Sequence, residues 1–472
     1  MSINPTPPMV LIIILVSVIG CQSSRQSRDN RFEQISQEYD LAQMQEMTGE
    51  SVIAPLDEDL SGAHSVEEYL KVGLAQNPEI QEIRLLVESL SNRVPQAGSL
   101  PDPMLGLAAY PSPVQTASGQ QEFSLAMNQK VPWRGKLEMR SAIAEQDVVA
   151  ARAKLAEVEL KVAEKIRTTY YQLYFLQQAI SIIDRDREQL KLIEQTVDEV
   201  YKVKRSVSQQ DVLQVQVALS RLESELIEFN RQKETTQAML SRLLHLSPST
   251  KPEAIEQIPH RQLDTDINRY YEWAVQSSPE LHSQLAIIEK DRFSASLAGL
   301  ENYPDMTYGF NWIGTSSNGI SPVANGDDAF LLTLGMNLPA YKKRIDAGVR
   351  EAQTRALSNV QKYDRLKDEA MEGVAVLLAK IKSQNENLRL FRNDIIPKQQ
   401  LTLDQSINDY QVGKVDFLQM IDNWRQLLRF HIAEKRFESE LQQSIASLAR
   451  QIGRFELPSE AADPSAEAFP KG

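Results

Sequence analysis

Most of the chain carries apolar residues at intervals of three and four, which is the pattern of an amphipathic α-helix. Two such stretches, Leu137 to Val203 and Lys342 to Gln411, would extend for about 100 and 105 Å at 1.5 Å per residue. Two others, Asp211 to Leu246 and Asp416 to Gly453, would extend for about 54 and 57 Å. Helices of this length predict an elongated helical assembly and not a globule.

A shorter helical stretch precedes each long one, Ser65 to Val94 and Asn268 to Glu301, with lengths of about 45 and 51 Å. Laid end to end, the preceding and returning helices add up to about 99 Å in the first half of the chain and about 108 Å in the second. Each half therefore predicts one long helix beside two helices of half its length.

Between the short and the long helix, the apolar period changes from 3.6 to two, which is typical of β-strands. Large apolar residues alternate with polar or small ones in MLGLAAY at 104–110, EFSLAMNQKV at 122–131, DMTYGFNW at 305–312 and FLLTLGMNL at 330–338. Each half thus predicts one β-hairpin, with loops at 111–120 and 314–328. Four strands are too few to close a barrel, whereas three chains would supply twelve.

The same series of proline and turn positions occurs twice along the chain. Matching positions are 201, 207 and 209 residues apart: Pro78 and Pro279, Pro132 and Pro339, and Tyr201 and Tyr410. A nearly constant offset at three markers indicates an internal repeat. The last pair opens two turns, YKVKRSVSQQDVLQ at 201–214 and YQVGKVDFLQMID at 410–422, which we expect at the tip of the helices, about 100 Å from the strands.

The N-terminus has the features of a lipoprotein signal. The apolar run MVLIIILVSVIG at 9–20 is too short to span a bilayer but suits a secretory signal. Residues 18–21 (VIGC) resemble a bacterial lipobox, in which the signal is cut before the cysteine and the cysteine is then lipidated, here by palmitate. Gln22 follows, and the absence of Asp there resembles outer-membrane sorting. The alternative is a short buried helix in which Cys21 occurs by chance.

These boundaries divide the chain into six predicted segments. They are a signal peptide at 1–20, a lipidated N-terminal arm at 21–60, a first repeat at 61–250, an equatorial connector at 251–266, a second repeat at 267–454 and a disordered tail at 455–472.

Composition and motifs argue against several classes of function. The 64 acidic and 51 basic residues give a net charge of -13, which disfavours a nucleic-acid partner because phosphate binding needs clustered Lys and Arg. The five histidines, at positions 64, 245, 260, 282 and 431, show no metal-ligand spacing. The sequence contains no phosphate loop, dinucleotide glycine motif or nucleophile elbow. We therefore expect no enzymatic activity, no cofactor and no metal site.

With the lipobox, the duplicated units and the two tip turns, the sequence resembles the TolC-like outer-membrane efflux channel family over about residues 65–454. The most specific segments are NPEI at 77–80, QKVPWRGK at 129–136 and YQVGKVDFLQMID. The resemblance implies a mostly α-helical protein with a small membrane β-barrel. A homotrimer would form a twelve-stranded barrel in the outer membrane, continued by a long periplasmic α-helical barrel.

The resemblance also implies partners. The chain would be the passive exit duct of a tripartite efflux system, docked to a periplasmic adaptor and an inner-membrane pump. The PWRGK turn and the short second tip resemble members that work with resistance-nodulation-division pumps. Two alternatives stay open: a lipid-anchored periplasmic coiled-coil scaffold without transport, and the outlet of a protein secretion system. The substrate, a drug or a metal ion, is left undecided by the sequence.

The resemblance places a periplasmic gate at the second tip. Asp422 matches an aspartate that constricts the closed entrance together with its symmetry mates, and three like charges on one axis would repel each other. Tyr410 matches the tip tyrosine of the family, and Asp211 and Asp416 complete the predicted gate. The alternatives are a solvated surface carboxylate for Asp422, helix N-capping for Asp211 and Asp416, and helix packing for Tyr410.

Four tip residues are expected to meet the adaptor: Lys204 and Arg205 in the first turn, and Gly413 and Lys414 in the second. Gly413 would adopt a positive φ and let the adaptor approach closely. Lys204 takes the corresponding place in the first turn.

Overall fold

The computed structural model describes residues 60–203, 209–256, 258, 266–318, 322 and 325–457. All of them lie in one compact unit, Glu58–Gly472. The predicted signal peptide, the N-terminal arm up to residue 59 with Cys21, the tip residues Lys204 and Arg205, and the chain from 458 onward lie outside the described residues.

The first repeat follows the predicted order of short helix, hairpin, long helix and returning helix. Its elements are β1 (Gly62–His64), α1 (Val66–Gln76), α2 (Pro78–Gly98), β2 (Met104–Thr116), β3 (Gly119–Val131), α3 (Lys136–Val203) and α4 (Gln209–Leu243). Strand β4 (Pro252–Ala254) follows in the predicted connector.

The second repeat has the same order. Its elements are α5 (Ile267–Gln276), α6 (Pro279–Leu300), β5 (Met306–Ser316), β6 (Ala329–Met336), α7 (Lys342–Leu390), a π-helical turn (Phe391–Ile395), α8 (Ile396–Val412) and α9 (Phe417–Gln451). The predicted fold class, mostly α-helical with a small sheet, is confirmed. Helix α3 alone has 68 residues, or about 100 Å.

The half-length helix that precedes each hairpin is broken near its start, which corrects the prediction of one continuous helix from Ser65 to Val94 and another from Asn268 to Glu301. Each break falls at a proline, Pro78 or Pro279, which opens the second helix of its pair. Proline lacks an N–H to donate and therefore favours the first turn of a helix over its interior. The side chains of Asn77 and Ser278 cap the new helices by accepting backbone N–H groups.

The second long helix contains a π-helical turn, which corrects the prediction of one regular α-helix from Lys342 to Gln411. In this turn the Ile396 N–H donates to the carbonyl of Phe391, five residues back. Pro397 follows directly, and its ring would clash with the carbonyl four residues earlier in a regular α-helix. The wider turn accommodates the proline without ending the helix.

The two hairpins form one antiparallel sheet in the order β2-β3-β5-β6. The central pair joins the two repeats, with Met127 opposite Phe310 and Leu125 opposite Trp312. Within the described residues, β2 and β6 each pair on one side only, so both edges of the sheet are open.

The predicted loop at 111–120 is wrong over most of its length, since β2 continues to Thr116 and β3 begins at Gly119. The register of the pair shifts between Ala109 and Val114. This bulge contains two prolines that lack the N–H of a regular ladder, and an edge strand tolerates them there. The predicted loop at 314–328 is shorter as well, because β5 extends to Ser316.

A small parallel sheet of β1 and β4, which the sequence did not predict, lies where the first repeat ends. Gly62 pairs with Pro252 and His64 with Ala254. The hydroxyl oxygen of the buried Tyr69 lies 3.1 Å from the carbonyl oxygens of both Gly62 and Glu253, and its single hydrogen can be donated to either. Strands of three residues are too short to show an alternation of apolar and polar residues, so the sequence pattern does not reveal them.

The helices form two ribbons, each four helices wide. Near the sheet the order is α2, α3, α6 and α7, and towards the tip it is α4, α3, α9 and α8. The largest apolar core lies in the second ribbon, where Ile183 on α3 packs with Ile421 and Trp424 on α9. Among the described residues, none of the helices combines the length and apolar character that crossing a bilayer requires.

Candidate functional site

The second tip turn is formed by a left-handed glycine. Gly413 has φ of 83° and ψ of 21°, and its N–H donates to the carbonyl of Tyr410 at 3.0 Å. The N–H of Lys414 reaches the carbonyl of Asp409 at 2.8 Å, which completes a Schellman-type helix end. The predicted positive φ is confirmed. A Cβ at this position would meet no atom within 4 Å, so the turn presents bare backbone.

Asp416 caps the helix that follows the turn, as the alternative interpretation of this residue expected. Its Oδ1 accepts the backbone N–H of Gln419 at 2.8 Å, and the residue is exposed. Asp211 occupies the first turn of α4, where a carboxylate complements the positive end of the helix dipole.

Tyr410 is buried at the second tip, near Asp211 of the first. Its side chain is 6% exposed and packs edge-on against Phe417, with ring centroids 6.1 Å apart. Burial and the negative charge of Asp211 raise the pKa of Tyr410 to about 12. Its hydroxyl has no hydrogen-bond partner among the described residues. The structure thus brings together Tyr410 and Asp211, two of the four predicted gate residues.

Asp422 lies on the open side of α9. Its side chain is 69% exposed and accepts from Arg425 Nη1 at 2.9 Å, whereas Ile421 and Trp424 on the same helix are buried. The carboxylate is therefore available to a neighbouring molecule, and its part in a gate stays a prediction. Lys414 is exposed on the tip turn as expected.

A buried carboxyl that the sequence did not reveal lies deeper in the tip half. Asp186 on α3 is 6% exposed, and burial raises its pKa to about 6 although Arg185 and the indole of Trp424 act in the opposite direction. The indole N–H of Trp424 is directed towards this carboxyl without reaching hydrogen-bond geometry among the described residues. One carboxyl among many charged residues on a long helix gives no sequence signal.

A second buried polar cluster clamps the π-helical turn to α9. Arg392 donates to Glu434 at 2.8 Å and to Glu438 at 3.1 Å. The hydroxyl of Tyr174 on α3 donates to Glu438 at 2.9 Å, and Lys435 also binds that carboxylate. Burial alone would raise the pKa of Glu438, but these donors bring it below its usual value. Pro397 was the sequence signal that could have located this turn.

A third cluster joins the sheet to the helices. Lys136 is 0% exposed, and its Nζ lies 2.8 Å from Asp305 Oδ1 and 3.4 Å from Glu301 Oε2. Asp305 also accepts the backbone N–H of Trp133 at 3.0 Å. The turn after β3 in the first repeat is thereby fixed to the segment between α6 and β5 in the second.

One face of the sheet is apolar and largely uncovered. Leu107 is 76% exposed and Leu332 is 82% exposed. The other exposed side chains of this face are Leu105, Met127, Tyr308, Phe310, Phe330, Leu334 and Met336. The opposite face carries mainly small or polar residues, with Met104, Ile313 and Leu331 as apolar exceptions.

Comparison with known proteins agrees with this architecture. Residues 70–244 match the model of the outer membrane efflux protein family. No curated protein matches the sequence. The resemblance to TolC-like outer-membrane efflux channels is thus confirmed, and a family of efflux proteins agrees with the prediction that the chain is not an enzyme.

Solved structures show the same fold at low identity. The outer-membrane channel OprN superposes with a TM-score of 0.71 at 15% identity, over 85% of this chain and 98% of that chain. CusC gives 0.72 at 16%, over 86% and 95%. VceC from Vibrio cholerae gives 0.69 at 17%, over 83% and 97%. These channels therefore share the fold over most of this chain.

Proposed function

We propose that the chain is the outer-membrane channel component of a tripartite efflux system. Three copies close a twelve-stranded barrel in the outer membrane, and their helices continue it as a periplasmic tube. The duct is passive and conducts small molecules or metal ions, with energy supplied by an inner-membrane pump of the resistance-nodulation-division type through a periplasmic adaptor. Lipidated Cys21 adds a second attachment to the outer membrane.

The observation that carries the proposal is the uncovered apolar face of the sheet together with its two open edges. Exposed side chains such as Leu107 and Leu332 would be costly in water, whereas a lipid environment suits them. Open strand edges in a bilayer would leave backbone groups unpaired, so the sheet must be closed by other copies. A scaffold held by its lipid alone requires neither feature.

The tip supports the same role. Exposed Asp422 can meet its symmetry mates at the narrow end, and the bare backbone at Gly413 offers a docking point next to Lys414. Lys204 and Arg205 would serve the first tip. A ring of carboxylates repels itself and opens when its neighbouring contacts are lost.

Membrane retention of the full chain with Cys21→Ala tests the proposal. Membranes carrying the wild type or the variant are washed with alkaline carbonate, which releases peripheral proteins. A barrel stays in the membrane without its lipid, so most of the variant should remain in the pellet. Release of the variant together with retention of the wild type would favour the lipid-anchored scaffold.

A further inference from the structure

The buried ion pair of Lys136 and Asp305 has a counterpart in the repeat, but the two corresponding residues lie at opposite edges of the sheet of a single chain. The pair links a lysine that follows β3 to an aspartate that precedes β5, the strand beside β3. In the second repeat, the strand that corresponds to β3 is β6, and β6 has no further neighbour among the described residues. The matching aspartate must therefore precede β2, at the other edge of the sheet.

The two hairpins define the correspondence between repeats. In the first, Met104 pairs with Asn128, and in the second, Thr307 pairs with Gly335. Adding 203 to residue numbers in the first strand and 207 to those in the second converts the pair of Met104 and Asn128 into the pair of Thr307 and Gly335. The same shifts carry Leu105 and Met127 onto Tyr308 and Leu334, which also pair. The hairpins thus share one register.

These shifts also identify the counterparts of the ion pair. Lys136 corresponds to Lys343, and Asp305 corresponds to Asp102. Both Lys343 and Asp102 are exposed, and neither takes part in an ion pair within the described part of the chain. The neighbouring Lys342 already donates to Asn302 at 3.0 Å.

The register of the central strand pair gives the expected register across the open edges. Since Met127 lies opposite Phe310, Leu334 on β6 would lie opposite Leu107 on β2 of another copy. All four side chains belong to the apolar face, so the face continues without interruption. A slip by one residue would turn one strand's apolar residues to the wrong side.

We propose that Lys343 of one copy and Asp102 of the next form an ion pair that locks the sheet-to-helix junction between copies. The inference rests on the proposed trimer and adds the residues that fix its register. The contact is head-to-tail, because the two surfaces are different, and such a contact closes into a ring when the rotation allows it.

The intermolecular pair lacks the additional charged neighbours of its counterpart. Asp305 lies 3.5 Å from Lys130 Nζ, and the position that corresponds to Lys130 is Asn337. Within the chain, Lys136 has two carboxylates nearby, those of Asp305 and Glu301. The position that corresponds to Glu301 is Gly98, so Lys343 meets a single carboxylate. A one-to-one pair should be rescued by exchanging the two charges, since no third group depends on either sign.

Charge reversal in the full-length, detergent-extracted protein tests the pair. Lys343→Asp and Asp102→Lys should each lower the temperature at which half of the trimer dissociates, by at least about 3 °C. The double variant should recover most of that loss. Arg344→Asp is the matched control, because Arg344 is also exposed and lies one position further along the same helix. It should leave the temperature unchanged.

A disulfide provides a second readout. Leu107→Cys with Leu334→Cys should give covalent trimers on mild oxidation, whereas Leu107→Cys with Leu332→Cys should not, since a disulfide needs Cβ atoms about 3.5–4.5 Å apart. The inference would be overturned if neither charge reversal lowered the dissociation temperature, or if both cysteine pairs cross-linked equally. Neither result would contradict the proposed channel function. Absence of any trimer of the wild type would overturn the proposed function as well.

Discussion

The substitution Asp186→Asn should stabilise the tip half of the protein at alkaline pH. The carboxyl is 6% exposed, and burial raises its pKa from the ordinary value of 3.8 to about 6. The native state therefore binds this proton more tightly than the unfolded chain does. As a result, the free energy of unfolding falls as the pH rises from about 4 to about 6, and the loss is complete above that range.

The size of the effect follows from the difference between the two pKa values. About two pH units at 1.36 kcal/mol each give a penalty of about 3 kcal/mol for the ionised carboxylate in the native state. Asparagine has nearly the same shape and carries no charge at any pH. The variant should therefore gain about 1–3 kcal/mol at pH 8 or so, and almost nothing below about pH 4.

Guanidinium unfolding, followed by tryptophan fluorescence at both pH values, measures this difference. Trp424 is buried near Asp186 and reports on the same region. The matched control is Asp184→Asn, since the Asp184 side chain is 47% exposed and paired with Arg187. A gain of equal size at both pH values, or none at the higher one, would refute the assignment of a buried protonated carboxyl.

Two further substitutions test the tip turn and the clamp. Gly413→Ala should destabilise the turn by about 1–2 kcal/mol and speed hydrogen exchange over residues 409–417, because its φ of 83° is left-handed. Gly348→Ala, in a regular helix with open space around it, should have no such effect. Arg392→Met should lower the free energy of unfolding by about 1–2 kcal/mol, since it removes two bonds to carboxylates and Arg392 is only partly buried. Arg365→Met, which removes an exposed pair with Glu369, should change it by about 0.5 kcal/mol or less, and equal losses in the two variants would contradict the clamp at Glu438.

The long helices could be predicted because their signal is local and repeated over many turns. The 3.6-residue period predicted the start of α3 to within one residue, and the internal repeat predicted the order of the elements in the second half. Interruptions were harder to predict. The prolines at 78 and 279 open new helices, whereas Pro397 follows a π-helical turn and the helix continues. Proline therefore has two different effects on a helical segment, and the sequence pattern does not distinguish them.

Polar contacts between distant segments were beyond the sequence pattern. Lys136 and Asp305 are far apart in the chain, and their pairing depends on which strands become neighbours. Asp186 is one of 64 acidic residues, and nothing local distinguishes it from its exposed neighbour Asp184. At the tip, Gly413 and Asp416 could be predicted because turn and cap geometry are set by adjacent residues.

Single-channel conductance in a planar bilayer tests the central claim most directly, with the purified wild type compared with Asp422→Ala. Asp422 is exposed, so its removal should not disturb folding, and Asp404→Ala on the neighbouring helix α8 serves as a control for a lost surface carboxylate. A trimeric duct closed by a ring of Asp422 carboxylates should show a small conductance that increases in the variant and not in the control. Failure of the folded wild type and both variants to insert and conduct would contradict the channel, whereas equal conductance in all three would remove Asp422 from the gate.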